Sequence, residues 1–78
     1  MLALPLCGIA QTSDSQLAQY YFQNGEFGKA VMYYEKLYDE SPSDVNYGYL
    51  LSSYIELEDF KSAEKLIKKQ LKRTSDDS

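Results

Sequence analysis

The sequence predicts an all-α protein in which two helical hairpins stack on each other. Five apolar positions of the first half recur 33 residues later in the second half, and we call this spacing the repeat offset. The pairs are Leu17 and Leu50, Tyr21 and Tyr54, Phe27 and Phe60, Ala30 and Ala63, and Tyr34 and Ile67. Around them, apolar residues follow the i, i+3, i+4, i+7 spacing of amphipathic helices. Self-similarity with a period in the thirties is typical of stacked helix-turn-helix units.

The first hairpin is predicted from a cap, a turn and an apolar face. Ser13 or Asp14 can cap a helix over residues 15–24, and Asn24 and Gly25 form the turn that follows. Gly25 supplies the left-handed backbone conformation that commonly ends a helix. The second helix covers residues from about 26 to 38. Its apolar face comprises Phe27, Ala30, Val31, Tyr34 and Tyr38.

The second hairpin begins after a loop at residues 39–43, where Pro42 disfavours helix at the residue before it. Asp44 is the predicted cap of the third helix. The apolar stripe of this helix consists of Tyr47, Leu50, Leu51 and Tyr54. Glu58 and Asp59 form the next turn, and Asp59 is the predicted cap of the fourth helix.

The fourth helix is the most basic part of the chain. It is expected to carry Phe60, Ala63, Ile67 and Leu71 inward. Leu66 and Leu71 are expected on the side of this helix that faces away from the third helix, where another repeat would stack. Residues 61–73 hold six basic residues and one acid, so this stretch carries +5 and the rest of the chain −9. A solvated face explains these lysines, and so does contact with an acidic neighbour, an anionic lipid or another copy.

Composition excludes most kinds of catalytic and metal site. The chain has no His, and its single Cys is Cys7, so one chain forms neither an internal disulfide nor a thiolate zinc site. The carboxylates Glu56, Glu58 and Asp59 lie at a helix end, where capping and solvation explain them. We therefore expect no enzyme activity, no cofactor and no metal. The net charge of −4 argues against nucleic-acid binding.

Residues 1–10 form an apolar leader. They are too few to span a bilayer as a helix, and Pro5 interrupts them. The small residues Gly8 and Ala10 before Gln11 favour the end of a secretory signal peptide cleaved after Ala10, which predicts a periplasmic or otherwise exported bacterial protein. A cytoplasmic protein with an apolar arm is the alternative. Contact with a membrane is expected only if Cys7 is lipidated.

The repeat resembles the tetratricopeptide repeat. The first unit supplies Leu17-Ala18, Tyr21, Phe27, Ala30, Tyr34 and Pro42, and the second supplies Tyr47, Leu50-Leu51, Tyr54, Phe60, Ala63 and Ile67. The resemblance implies two helix-turn-helix hairpins stacked as a short right-handed α-solenoid. The first unit then covers residues 11–43, the second covers 44–73, and residues 74–78 form a polar tail.

The resemblance also implies a binding groove. In this family one side of the first helix of each unit lines a concave surface. On this chain that side comprises Ser15, Gln19, Phe22, Gln23, Gly48, Ser52, Ile55 and Glu56. Phe22 and Ile55 lie off the core stripe, because each directly follows a stripe residue and is rotated by about 100° from it. They line the groove or pack against neighbouring helices, and the sequence does not separate the two.

The resulting functional prediction is a protein-interaction module that binds a peptide or partner protein in a shallow helical groove, without catalysis. The alternative is a structural fragment or terminal piece of a longer repeat array, because two units rarely bury enough surface alone. Such a piece would self-associate through residues 60–73.

Overall fold

The computed structural model describes residues 13–77 and places them in four α-helices joined by short turns. In chain order these are α1 (Asp14–Gln23), α2 (Phe27–Glu40), α3 (Asp44–Glu56) and α4 (Phe60–Asp77). Each helix packs against the next one along the chain. This arrangement confirms the predicted all-α fold with stacked hairpins. The predicted leader at residues 1–10 lies outside the described residues.

Serine side chains cap the first helix of each hairpin. The backbone N–H of Gln16 donates to Ser13 Oγ at 3.2 Å, and the N–H of Asn46 donates to Ser43 Oγ at 3.2 Å. The prediction for Ser13 is therefore confirmed, whereas Asp44 is not the cap of α3. Asp44 is instead the first residue of α3, where its carboxylate faces the positive end of the helix dipole.

The turns inside the two hairpins have the same backbone hydrogen bonds at positions related by the repeat offset. The N–H of Gly25 donates to Phe22 O at 3.1 Å, and the N–H of Glu58 donates to Ile55 O at 2.9 Å. Both turns therefore end their helix with a left-handed residue, as in the Schellman motif. Gly25 has φ +76°, as predicted, while Glu58 has φ +59° without being glycine.

The core lies along the seam between consecutive helices. Its buried apolar residues are Ala18, Ala30, Tyr34, Tyr38, Leu50, Ala63 and Leu66. The small side chains at 18, 30 and 63 allow close approach of neighbouring helices. Ser53 is also buried, and its hydroxyl is satisfied by donating to Tyr49 O at 2.8 Å.

The inward face of α4 differs from the prediction. Ala63 and Leu66 are buried, whereas Phe60, Ile67 and Leu71 are exposed by 60%, 40% and 62%. The assignment of Leu66 to the exposed side was therefore wrong. Phe60 and Ile67 were expected to be buried by analogy with their counterparts in the first hairpin, Phe27 and Tyr34, which α3 covers. Within the described residues no helix covers Phe60 and Ile67.

Tyr38 anchors α4 to the rest of the molecule. Its hydroxyl donates to Gln70 Oε1 at 2.6 Å. The Lys69 ammonium and the Arg73 guanidinium lie 5.6 Å and 5.2 Å from the centre of its ring, within the range of cation–π attraction. Lys69 also pairs with Asp39 at 3.5 Å. These contacts explain part of the basic stretch without an external partner.

The two hairpin turns generate a paired prediction. A non-glycine residue in the left-handed conformation is strained by about 1 kcal/mol or more. Glu58→Gly should therefore raise the free energy of unfolding by up to about 1 kcal/mol, and Gly25→Ala should lower it by a similar amount. Urea unfolding followed by circular dichroism measures both. A loss of stability in Glu58→Gly would contradict the left-handed conformation of that residue.

Candidate partner-binding surface

The eight predicted groove residues divide between α1 and α3. Ser15, Gln19, Phe22 and Gln23 lie on α1, and Gly48, Ser52, Ile55 and Glu56 lie on α3. All of them are exposed except Phe22, which is half-buried. Phe22, Gly48 and Ser52 line one shallow depression between the two helices. Ile55 lines a second depression between α3 and α4, and the other four lie outside both depressions.

An aromatic cluster forms the floor beneath the first depression. The Phe22 ring meets Phe27 and Tyr49 edge-on, with ring centres 5.2 Å and 5.1 Å apart. Tyr34 and Tyr49 stack with centres 5.1 Å apart and planes 5° from parallel. Phe22 therefore packs against neighbouring helices and also borders the depression. Its removal would disturb the core, so Phe22 is a poor position for testing binding.

Sequence reasoning missed three residues of this depression. Asp44, Val45 and Tyr49 line it together with the predicted residues. Val45 is 63% exposed, although it is apolar. A signal for these residues was available, because positions 45, 48, 49 and 52 follow the helical spacing that places side chains on one face. We call this surface, formed by Phe22, Asp44, Val45, Gly48, Tyr49 and Ser52, the groove.

The lining of the groove is mostly apolar or uncharged. Among the described residues that line it, Asp44 alone is charged. Among residues 13–77 there is no cluster of three side chains able to hold a metal ion. Asp59, one of the clustered carboxylates, has the predicted capping role, since it accepts from the Ser62 N–H at 3.3 Å and the Ser62 hydroxyl at 2.7 Å. Within the described range, no helix is both long and apolar enough to cross a bilayer.

Two tyrosines have raised pKa values, one beneath the groove and one away from it. Burial raises the pKa of Tyr34 from 10.0 to about 12, and its hydroxyl forms no hydrogen bond with a described residue. On the other side of α3, burial and then a hydrogen bond to Glu35 raise the pKa of Tyr54. That bond joins Tyr54 Oη to Glu35 Oε2 at 2.5 Å and links α3 to α2.

The Tyr34 hydroxyl generates a prediction about alkaline stability. The folded protein favours the neutral phenol of Tyr34. The free energy of unfolding is therefore undiminished by this group below pH 10 and falls as the pH rises from 10 towards 12. The decline is at most about 1.4 kcal/mol per pH unit for one group. Tyr34→Phe removes this pH-dependent loss of stability. We expect the variant to be as stable as the parent at pH 7, since an unpaired buried hydroxyl is lost, and to decline less steeply between pH 10 and 12.

Urea unfolding at several pH values measures the difference, and Tyr38→Phe serves as the matched control. That control loses the hydrogen bond to Gln70 and should cost about 1 kcal/mol at pH 7. Parallel alkaline curves for parent and Tyr34→Phe would contradict the buried, unpartnered hydroxyl.

Among the comparisons with known proteins, a family model matches the first hairpin. Residues 15–44 match the family model of the tetratricopeptide repeat. Neither curated proteins nor solved structures produced a match to the chain. The matched segment covers most of α1, all of α2 and the turn to α3, and its apolar positions recur in α3 and α4 at the repeat offset. The chain therefore contains a tetratricopeptide repeat at residues 15–44.

Proposed function

We propose that this chain is a protein-interaction module that holds a peptide or a segment of a partner protein in the groove between α1 and α3. Tetratricopeptide repeats are protein-interaction modules, which supports the general role. The observation that carries the proposal is the combination of an exposed Val45 with the half-buried rings of Phe22 and Tyr49 in one depression. Apolar surface that remains open to solvent in a depression is typical of binding sites.

The groove offers apolar contact with few polar groups. Gly48 lines it, and outside its own chain neighbours and helix turn no atom lies within 4 Å of the place a Cβ would occupy, so the backbone of a bound segment can approach closely. The Ser52 hydroxyl can donate to or accept from that backbone. Gln19 and Gln23 are exposed on α1 and extend the polar border. Binding is by shape, apolar contact and hydrogen bonds, and we propose no catalysis.

Charge limits the kind of segment that fits. Asp44 at one end of α3 and Glu56 at the other are both exposed, and neither α1 nor α3 contains Lys or Arg. The groove therefore favours a neutral or basic segment over an acidic one. For the same reason we propose no contact with nucleic acid through this face.

The groove is tested by substituting its exposed residues and leaving the aromatic floor intact. Peptides are first selected from a random displayed library against the parent chain, and their affinities are then measured by fluorescence anisotropy. Val45→Ser combined with Ser52→Lys should weaken binding by about 10-fold or more, because an apolar anchor is lost and a positive charge is added to a groove that favours neutral or basic segments. Met32→Ser on α2, at a residue that is 66% exposed, is the control and should bind like the parent.

Thermal melts of all variants show whether the fold is retained. A well-folded double variant that binds every selected peptide as tightly as the parent would refute the groove. Binding lost equally in Met32→Ser would point to a different surface.

We also propose that the protein is exported. The support is the sequence of residues 1–10, with an apolar core, Pro5 and small residues before Gln11. Expression of the complete gene in a bacterium, followed by intact mass measurement of the periplasmic fraction, should give a protein that begins at Gln11. A cytoplasmic protein that retains residues 1–10 would contradict export, and added acyl mass on Cys7 would indicate a lipoprotein.

A further inference from the structure

The second hairpin carries an apolar face with no helix over it in the described part of the chain. Leu51, Ile55, Phe60, Ala63 and Ile67 line an open depression of 720 Å³ between α3 and α4. Phe60, Ile55 and Ile67 are exposed by 60%, 47% and 40%. We call these five residues the end face. Several large apolar side chains exposed side by side are unusual for a surface that meets only water.

The first hairpin shows what covers such a face. Counted back by the repeat offset, the end face corresponds to Ala18, Phe22, Phe27, Ala30 and Tyr34. In the first hairpin α3 lies over this set, and Tyr49 contacts Phe22 and Tyr34. The effect on exposure is large, since Tyr34 is 2% exposed and its counterpart Ile67 is 40% exposed. The end face therefore has the form of a seat for one further helix.

Charge distinguishes the two seats. Glu35, at the edge of the first seat, accepts the hydrogen bond from the Tyr54 hydroxyl of α3. Its counterpart at the repeat offset is Lys68, which lines the depression of the end face and forms no ion pair with a described residue. Lys61 lines the same depression and also forms no ion pair within residues 13–77, while Glu64 is the one acidic residue of the lining, which therefore keeps an excess of positive charge. A helix seated here thus meets an ammonium group where α3 meets a carboxylate.

We propose that the end face binds an acidic amphipathic helix of a partner protein. The helix places an apolar residue over Ile67, as α3 places Tyr49 over Tyr34. Further along, at the position where α3 carries Tyr54, it places a carboxylate against Lys68. This surface is separate from the groove, so the inference goes beyond the function proposed above and does not depend on it.

Two other occupants fit the charges less well. A second copy that paired symmetrically, end face to end face, would bring two α4 helices together, and each carries a net +5 over residues 61–73. Like charges in close contact oppose such a dimer. An anionic membrane would pair with the lysines. The end face is a depression between two helices, however, so the side chains along one face of a helix fit it better than the flat surface of a membrane does.

The test uses the full chain and a peptide derived from α3. The acidic probe is a synthetic peptide of residues 43–58 with Tyr54→Glu, and the basic probe is the same peptide with Tyr54→Lys. Fluorescence anisotropy measures both affinities. We expect the parent to bind the acidic probe about 10-fold more tightly than the basic probe, since a close charge pair replaces a like-charge contact.

Two variants of the chain locate the site. Lys68→Glu should reverse the preference between the two probes, which a general loss of folding cannot do. Phe60→Ser combined with Ile67→Ser should weaken both probes by about 10-fold or more, because the apolar seat is lost. Met32→Ser is the control and should bind like the parent. Since residues 60, 67 and 68 are exposed, thermal melts should change little.

Three results would overturn the proposal. The first is an unchanged probe preference in Lys68→Glu. The second is a dimer of the parent in analytical ultracentrifugation that Phe60→Ser with Ile67→Ser abolishes, which would assign the face to a second copy. The third is binding of the parent to vesicles containing phosphatidylglycerol, sensitive to the same pair of substitutions, with no binding of either probe.

Discussion

The stacked contact between Tyr34 and Tyr49 is the interaction on which the two-hairpin arrangement depends. Tyr34 belongs to α2 and Tyr49 to α3, and their ring centres lie 5.1 Å apart with the planes nearly parallel. Phe22 of α1 meets Tyr49 edge-on, so one side chain of the second hairpin contacts both helices of the first. Offset-stacked and edge-to-face aromatic pairs add about 0.5–1.5 kcal/mol beyond the apolar area that they bury. In a domain of this size such a contribution is a considerable part of the net stability.

The same contact separates the two surfaces of the molecule. Because α3 covers the apolar side of the first hairpin, what remains there is the narrow groove bordered by Phe22, Val45 and Gly48. The corresponding side of the second hairpin keeps its full width and exposes Phe60 and Ile67. Within residues 13–77 the repeated sequence thus gives one covered face and one open face, because each unit of a one-dimensional stack contacts only its neighbours.

Much of the fold could be predicted from local signals. The helical period, the cap at Ser13 and the glycine turn at Gly25 depend on neighbouring residues, and the structure agrees with all three. The inward side of α4 could not be predicted in this way. Ile67 corresponds to Tyr34 by sequence, but burial at this position depends on a following helix, and the offset carries no information about whether that helix is present. Leu66 is buried instead because α4 meets α3 on that side.

The lining of the groove could be predicted only in part for a similar reason. Three of the residues expected from the family resemblance line it, but Val45 and Tyr49 line it because α3 meets Phe22 of α1 at this place. The cation–π contacts of Tyr38 join α2 to α4, which are not consecutive helices, so no local sequence pattern predicts these contacts. Glu58 shows the opposite case, since its turn is predictable from the repeat while its residue type is not the glycine that the turn favours.

A double-mutant cycle at Tyr34 and Tyr49 tests the central claim that this stack joins the hairpins. Tyr34→Leu, Tyr49→Leu and the double variant keep apolar bulk and remove the ring–ring contact. Urea unfolding of the four proteins should give a coupling energy of about 1 kcal/mol and one cooperative transition in the parent. A coupling energy near zero, or separate transitions for the two hairpins in the parent, would contradict the account.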